Sequence, residues 1–355
     1  MKYDFLIVGG GIAGSVLAYK MQSKGYRIKL YDYHNPASSS RVAAGLLNPV
    51  TGRRFSLTWK AGKVFSELHR TYSEMERLCG ETLVNKLKIV RLCNSIAEYN
   101  DWSAKASDDR YQSFIDNEPI ELHEELLEHK AGALTLTGGG YLNTNKTLSF
   151  VHHYLGNSFQ QVATPIKPDD IFLGDGSVKI GDDEGKNIVL AEGYLAFQSP
   201  FFGYLPFTPM KGEILELVIP NFYEDRVFIR GGFLVPFGNS TYRAGATYDS
   251  VNLNQESTDE GQKNILDRLE KYLKADYSVK NRFAGVRPAV KDRRPLVGVH
   301  PKHSNMFLFN GFGSKGSSLA PYMSDLFIDM IENDTPLPAE CDILRYESLF
   351  LNSKI

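Results

Sequence analysis

Tyr3-Asp4-Phe5-Leu6-Ile7-Val8-Gly9-Gly10-Gly11-Ile12-Ala13-Gly14 decides the fold of this 355-residue chain. Six residues of apolar strand run straight into glycines spaced G-x-G-x-x-G at Gly9, Gly11 and Gly14. A helical pattern follows over 15–24 and stops at Gly25. A second strand over 27–31 ends at Asp32. That order predicts one βαβ dinucleotide-binding unit. Gly9 permits the tight turn, Gly11 lets backbone approach a pyrophosphate, and Gly14 lets helix and strand pack closely. The helix N-terminus turns free N–H groups toward the phosphates. An acid at Asp32 suits an unphosphorylated adenosine ribose, hence FAD or NAD over NADP. The position at the start of the sequence favours FAD. An ordinary strand–helix turn would not need strand, glycines, helix, stop, strand and acid in this order.

The length admits two domains, and 42% hydrophobic with 23% charged residues is an ordinary globular balance. A formal net charge of −2 offers no overall attraction to nucleic acid or anionic membrane. Cys79, Cys93 and Cys341 show no paired spacing, so free thiols are expected rather than disulfides or a metal site. No signal peptide and no bilayer-length apolar run are recognised, and a cytoplasmic location is expected.

Beyond Asp32, the small apolar run Arg41-Val42-Ala43-Ala44-Gly45-Leu46-Leu47 would admit a flat ligand or tight packing. Thr51-Gly52-Arg53-Arg54 reads as a turn. A helix is expected over 55–79, a strand over 88–93, and mostly helix over 96–127 with a break at Pro119. Gly138-Gly139-Gly140 is a turn, and Asn143-Thr144-Asn145 is expected to cap a helix over 147–155. His152 and His153 on that helix share no face and have no acid or cysteine at ligand spacing, so no metal site is expected. Strands over 161–166, 171–172, 178–180 and 188–191, ending at Glu192-Gly193, predict a meander returning to the nucleotide sheet. Residues 200–209 cross to strands over 214–218, 227–229, 233–237 and 242–248, the last two a hairpin. A helix over 256–272 follows.

Two later stretches carry chemistry. Met306 to Asn310 is a strand feeding Gly311-Phe312-Gly313-Ser314-Lys315-Gly316-Ser317 and a helix over 319–332. No second strand and acid follow, so this is not another nucleotide unit. Its helix N-terminus suits the N1–C2=O edge of a flavin, which becomes anionic on reduction. In Gly285-Val286-Arg287-Pro288, glycine and proline stiffen the backbone around a guanidinium suited to bidentate carboxylate recognition. A structural ion pair is the alternative.

Over nearly its full length the chain resembles the D-amino acid oxidase superfamily, in its glycine oxidase-like branch. The resemblance rests on the opening βαβ unit, Ala43 to Leu47, Pro209-Met210-Lys211-Gly212-Glu213, Gly245-Ala246-Thr247, Gly285 to Pro288 and Gly311 to Pro321. Through Gly139-Gly140-Tyr141-Leu142, Gly245 to Tyr248 and Phe312 to Gly316 it is also similar to the FAD-dependent C-terminal domain of bifunctional tRNA methylaminomethyl-thiouridine modification proteins. The methyltransferase half of those proteins has no counterpart in this sequence. The resemblance implies an α/β fold in which a Rossmann-type FAD-binding domain (1–78, 146–205, 279–355) alternates with a discontinuous antiparallel-sheet substrate domain (79–145, 206–278). It implies non-covalent FAD held by Gly9, Gly11, Ile12, Ala13, Gly14, Asp32, Tyr33, Arg41 and Ala43, Ala44, Gly45 and Leu46. Ile166, Gly193, Gly311, Gly313, Ser314, Lys315, Gly316 and Ser317 complete that set. Arg287 would hold a substrate carboxylate. Phe233 stands where glycine oxidases carry a tyrosine, so one carboxylate contact is absent, and Tyr248 lines the pocket in the tRNA-domain likeness.

The implied activity is oxidation of the C–N bond of a small amino acid or N-substituted glycine by hydride transfer to flavin N5, followed by imine hydrolysis. Arg287, Phe233 and Tyr248 would orient the substrate and exclude water. Dioxygen or another acceptor would reoxidise the flavin. The alternatives are removal of a carboxymethyl group from a tRNA wobble uridine, with Arg53, Arg54, Lys60 and Lys63 as a basic track, and a non-catalytic FAD-binding protein. A nicotinamide dehydrogenase would leave the second glycine turn without a task.

Overall fold

The computed structural model describes residues 2–116, 118 and 121–353. The opening unit forms as its sequence predicts. Strand β1 (Tyr3–Val8) leads into helix α1 (Ile12–Ser23) and back to strand β2 (Ile28–Tyr33), parallel to β1. Phe5, Leu6 and Ile7 are all buried, because both faces of the parallel sheet are covered. Strand Asp183–Leu190 lies on the other edge of β1, with Met306–Asn310 parallel beyond it. Ser177–Ile180 and Ile171–Gly174 complete the expected meander.

The strand expected over 161–166 is instead Phe159–Val162, and it does not belong to that meander. It pairs parallel with β2 at the far edge, because the helix Thr144–Leu155 returns the chain to that side of the sheet. Ile166 therefore stands in a connecting segment, half-buried against the sheet's second face.

A second eight-stranded sheet runs Ser278–Arg287, Met210–Val218, Thr241–Gly245, Phe233–Pro236, Val227–Ile229, Ile89–Leu92, Ala133–Leu136 and Ile115–Asp116. It is antiparallel except where Val227–Ile229 meets Ile89–Leu92. Alternation gives it two faces. Leu215, Leu217, Leu234 and Ala244 pack with Ile265 and Leu269 of the helix Asp259–Leu269. Ile214, Val227, Val235 and Ile89 share one core with Ile7, Val16 and Phe309 of the nucleotide domain. The two domains thus meet across the face that carries even-numbered residues of strand Met210–Val218. We propose the five-segment division with its last crossing moved from 279 to beyond Arg287, because 278–287 pairs with Met210–Val218.

Other expectations shift for local reasons. The helix over 55–79 starts only at Ala61. Phe55 and Lys60 adopt positive φ (49° and 48°), and the Phe55 ring is buried between Trp102 and Tyr111. The helix expected through 96–127 ends at Ala106, after which Phe114 turns inward and Ile115–Asp116 joins the sheet. The break at Pro119 lies outside the described residues. The helix over 256–272 shortens to Asp259–Leu269, where the Thr258 hydroxyl accepts from Gly261 N–H. Of the three expected cap residues Asn143 is the cap, accepting from Lys146 N–H, and the helix begins at Thr144 rather than 147. Among the described residues no helix is long and apolar enough to cross a membrane.

An ionic network fixes α1 against its neighbours. Lys20 donates to Glu67 and Asp325, both at 2.6 Å, and Arg70 bonds the same two acids. It ties α1 to the helices Ala61–Cys79 and Gly316–Asn333, so the N-terminus of α1 is held from behind.

Candidate active site

The first glycine turn is steric in origin. Gly9 has φ +107°, a conformation that side chains rarely adopt. A Cβ on Gly14 would stand 2.0 Å from the Gly9 carbonyl oxygen, so helix and turn touch backbone to backbone. Gly11 caps α1 without a side chain, and the Ser40 hydroxyl accepts from Ile12 N–H at 3.0 Å. Asp32 is buried at the end of β2. It accepts from Gly10 N–H and from Arg41, each at 3.2 Å. The carboxylate and Arg41 therefore form one group beside the turn. Tyr33, also on β2, is 43% exposed.

The segment after Arg41 approaches closely as well. Gly45 has φ +65°, and a Cβ there would lie 1.9 Å from the Leu142 carbonyl oxygen. The short strand Leu46–Leu47 pairs with Gly140–Leu142. Arg243 reaches across from the second sheet and donates to the Ala43 carbonyl at 2.8 Å. Nothing in the sequence around Arg243 signals that bond, which depends on the docking of the two sheets.

The second glycine turn meets the first. A Cβ on Gly316 would fall 2.8 Å from Ile12 Cγ2, so the N-termini of α1 and of Gly316–Asn333 converge. Gly311 adopts φ +76°, and a Cβ there would meet Leu296 N at 2.9 Å. Gly313 N–H donates to the Pro288 carbonyl at 3.1 Å, which ties this turn to the strand carrying Arg287. Tyr72 donates to the Ser317 carbonyl at 2.7 Å. Lys315 lies mostly buried with its ammonium 3.4 Å from the hydroxyls of Thr51 and Thr58. Burial first, then Arg294 and Arg293, lower its pKa to about 8.

Arg287 lies on the face of the second sheet that looks toward the nucleotide domain. It stands opposite Met210, and its guanidinium folds over Gly212. Its Nη1 donates to the Thr247 carbonyl at 3.2 Å and to the Lys211 carbonyl at 3.5 Å, and its Cζ lies 4.9 Å from the Tyr248 ring centroid. Burial lowers its pKa. Among the described residues no carboxylate lies within 4.0 Å of it, so the structural ion pair is not formed. A guanidinium held by carbonyls, largely dry and without a counter-ion, can take up a carboxylate.

The glycine before it serves packing rather than stiffness. A Cβ on Gly285 would meet Val42 Cγ2 at 2.7 Å. Tyr248 lies beyond the strand, which ends at Gly245, and is 72% exposed; its contact with the site is the Arg287 guanidinium. Phe233 is half-buried with its ring against Gly245, on the same sheet face as Arg287.

Gly212 was legible only as part of a motif, and its task is clear from the fold. A Cβ there would lie 1.8–2.4 Å from three guanidinium atoms of Arg287. Its backbone conformation is ordinary, so Gly212→Ala should fold with an unchanged thermal midpoint while displacing the guanidinium. The expected result is a rise in substrate KM of about 100-fold, on the scale of a 1 Å misplacement. Steady-state kinetics beside a melting curve checks it; an unchanged KM would show that Arg287 has room to spare.

Among the described residues no group of three or more His, Cys, Asp or Glu is placed to hold a metal ion. His152 stacks on Phe159 at 4.0 Å and approaches the Ser15 hydroxyl at 3.4 Å, which makes it part of the packing behind the first turn.

Comparison with known proteins bears on the same features. A bifunctional ThiO/ThiG protein of Nostoc sp. is 25% identical over 93% of this chain, which spans only 53% of that relative. The chain thus covers about half the length of the bifunctional relatives it matches. Glycine oxidase of Geobacillus kaustophilus is 23% identical, with 93% of both chains aligned. Its crystal structure superposes with a TM-score of 0.79 at 20% identity, covering 95% of this chain and 96% of that one. Iminodiacetate oxidase from Chelativorans sp. gives 0.78 at 20% identity, covering 95% and 98%. These likenesses carry the fold, and the family follows from a match over residues 4–330 to the DAO family of FAD-dependent oxidoreductases, to which this chain belongs.

Proposed function

We propose that this FAD-dependent oxidoreductase oxidises the C–N bond of a small amino acid or N-substituted glycine. The observation that carries the reading is Arg287, a largely buried cation held by backbone carbonyls with no acid within 4.0 Å among the described residues. The names of the relatives agree: one oxidises glycine, another iminodiacetate, and both substrates are amines bearing a carboxylate.

The residues present fit the cofactor. Gly9, Gly11 and Gly14 let the turn close tightly against α1, whose N-terminal N–H groups would meet a pyrophosphate, and Asp32 with Arg41 would meet an adenosine ribose. Gly45 and Leu46 approach from the side, and the turn from Gly311 to Ser317 offers the N-terminus of an 18-residue helix. Ile12, Ala13, Tyr33, Ala43, Ala44, Ile166 and Gly193 complete the residues proposed to hold it. When bound, FAD supplies the two-electron acceptor for the C–N bond. Arg287 binds and orients the substrate carboxylate through its free N–H groups. Tyr248 covers the outer face of that guanidinium, and Phe233 excludes water along the same sheet face. None of these side chains is a strong base, so the amine enters neutral and the protein contributes positioning and desolvation.

One feature favours a second reading, removal of a carboxymethyl group from a modified tRNA. Lys60 and Arg294 lie 5.0 and 6.0 Å from the Trp59 ring beyond Lys315, in a cluster that also holds Glu340, which accepts from Trp59 at 3.1 Å. Anaerobic spectra separate the two. The yellow enzyme is expected to bleach on addition of glycine, sarcosine, proline or iminodiacetate. Bleaching by a carboxymethylaminomethyl-modified tRNA alone, with a steep salt dependence, would establish the second reading instead.

A further inference from the structure

Between the two glycine turns stands a carboxyl group that the proposed oxidation does not use. Glu192 follows the strand Asp183–Leu190, whose neighbours on either side are β1 and Met306–Asn310. These are the strands that feed the two glycine turns. The backbone around Glu192 touches both. A Cβ on Gly9 would lie 2.4 Å from the Ala191 carbonyl oxygen and 3.0 Å from Glu192 N. On the other side, the Asn310 side-chain amide donates through Nδ2 to the Gly193 carbonyl at 2.9 Å and accepts through Oδ1 from Gly311 N–H at 2.8 Å. A dinucleotide laid from the first turn to the second must cross the end of this strand, at the point where ligands enter open parallel sheets.

Glu192 sits at that crossing with one carboxyl oxygen unsatisfied. Its Oε2 is buried without a hydrogen-bond partner among the described residues. Burial raises its pKa to about 7. Leaving such a group unpaired is costly in a folded protein, and a bound hydroxyl would remove that cost.

We infer that Glu192 is a cofactor-binding residue whose carboxyl group hydrogen-bonds a hydroxyl of the polyol between the pyrophosphate and the flavin ring of FAD. A sugar or ribityl hydroxyl can donate to the carboxylate or accept from the neutral acid, so the contact holds in either protonation state. A phosphate oxygen could be served only by the acid form.

The test is titration of FAD into apo-enzyme, followed by quenching of flavin fluorescence, with the melting midpoint of each apo-protein measured in parallel. Glu192→Ala is expected to raise the Kd for FAD by about tenfold or more. Its apo-protein should melt no lower than wild type, because the alanine removes an unsatisfied buried group. Glu192→Gln, which keeps an oxygen and a donor in place, should hold FAD within about threefold of wild type. A Kd for Glu192→Ala that matches wild type would overturn the assignment. So would a weakened Kd accompanied by a lower apo midpoint, which marks a packing role, or a Glu192→Gln variant as weak as alanine.

Discussion

Arg287→Ala is expected to lower kcat/KM for a carboxylate-bearing amine by about 30- to 4,000-fold, the 2–5 kcal/mol lost when one partner of a buried charge pair is truncated. The loss should fall mainly on KM, because the contact exists in the bound substrate as well as at the barrier. FAD content should stay at the wild-type level. The melting midpoint should not fall, since the guanidinium has no acid partner within 4.0 Å among the described residues and its removal strands no charge. Arg287→Lys should recover little of the loss, because a point charge cannot reproduce the planar fork. Absorbance at the flavin band, a melting curve and steady-state kinetics on one preparation decide the matter. A colourless or destabilised Arg287→Ala protein would show a structural arginine and remove the proposed role.

Gly14→Val is expected to give protein that purifies without flavin. A Cβ at this position lies 2.0 Å from the Gly9 carbonyl oxygen and 3.1 Å from Ala191 Cβ, so backbone must move. Helix α1 cannot retreat easily, because Lys20 is clamped between Glu67 and Asp325 behind it. Overpacking of this kind costs about 1–3 kcal/mol and at times more, and here it is concentrated in the turn proposed to meet the pyrophosphate. The flavin-to-protein absorbance ratio measures the outcome. A Gly14→Val enzyme that stays yellow would mean that the turn yields and that Gly14 serves packing alone. This test and the Arg287 test are independent: one removes the cofactor with the pocket intact, the other the substrate contact with the cofactor in place.

The nucleotide half of the protein was legible because its determinants are local. Strand, glycines, helix stop and acid occupy residues 3–32, and each is a short-range device with its own steric reason. The same holds for the second glycine turn and for a helix cap within 143–145. Phe55 defeated periodicity because a tertiary contact, the stack with Trp102 and Tyr111, overrides the helical pattern around it. The strand 278–287 was missed because only part of its length is buried, which weakens the alternation there.

The sequence by itself determined a parallel nucleotide sheet, a cofactor of the dinucleotide class, and an arginine suited to a carboxylate. Only the tertiary structure decided that Arg287 has no acid within 4.0 Å among the described residues, that Gly212 makes room for its guanidinium, and that the two glycine turns converge through Ile12 and Gly316. It alone set Glu192 between those turns with its Oε2 unpartnered among the described residues. The physical reason is range. Backbone conformation and capping are fixed by neighbours a few residues away, whereas the charge state and freedom of a buried side chain depend on strands brought together from distant parts of the chain.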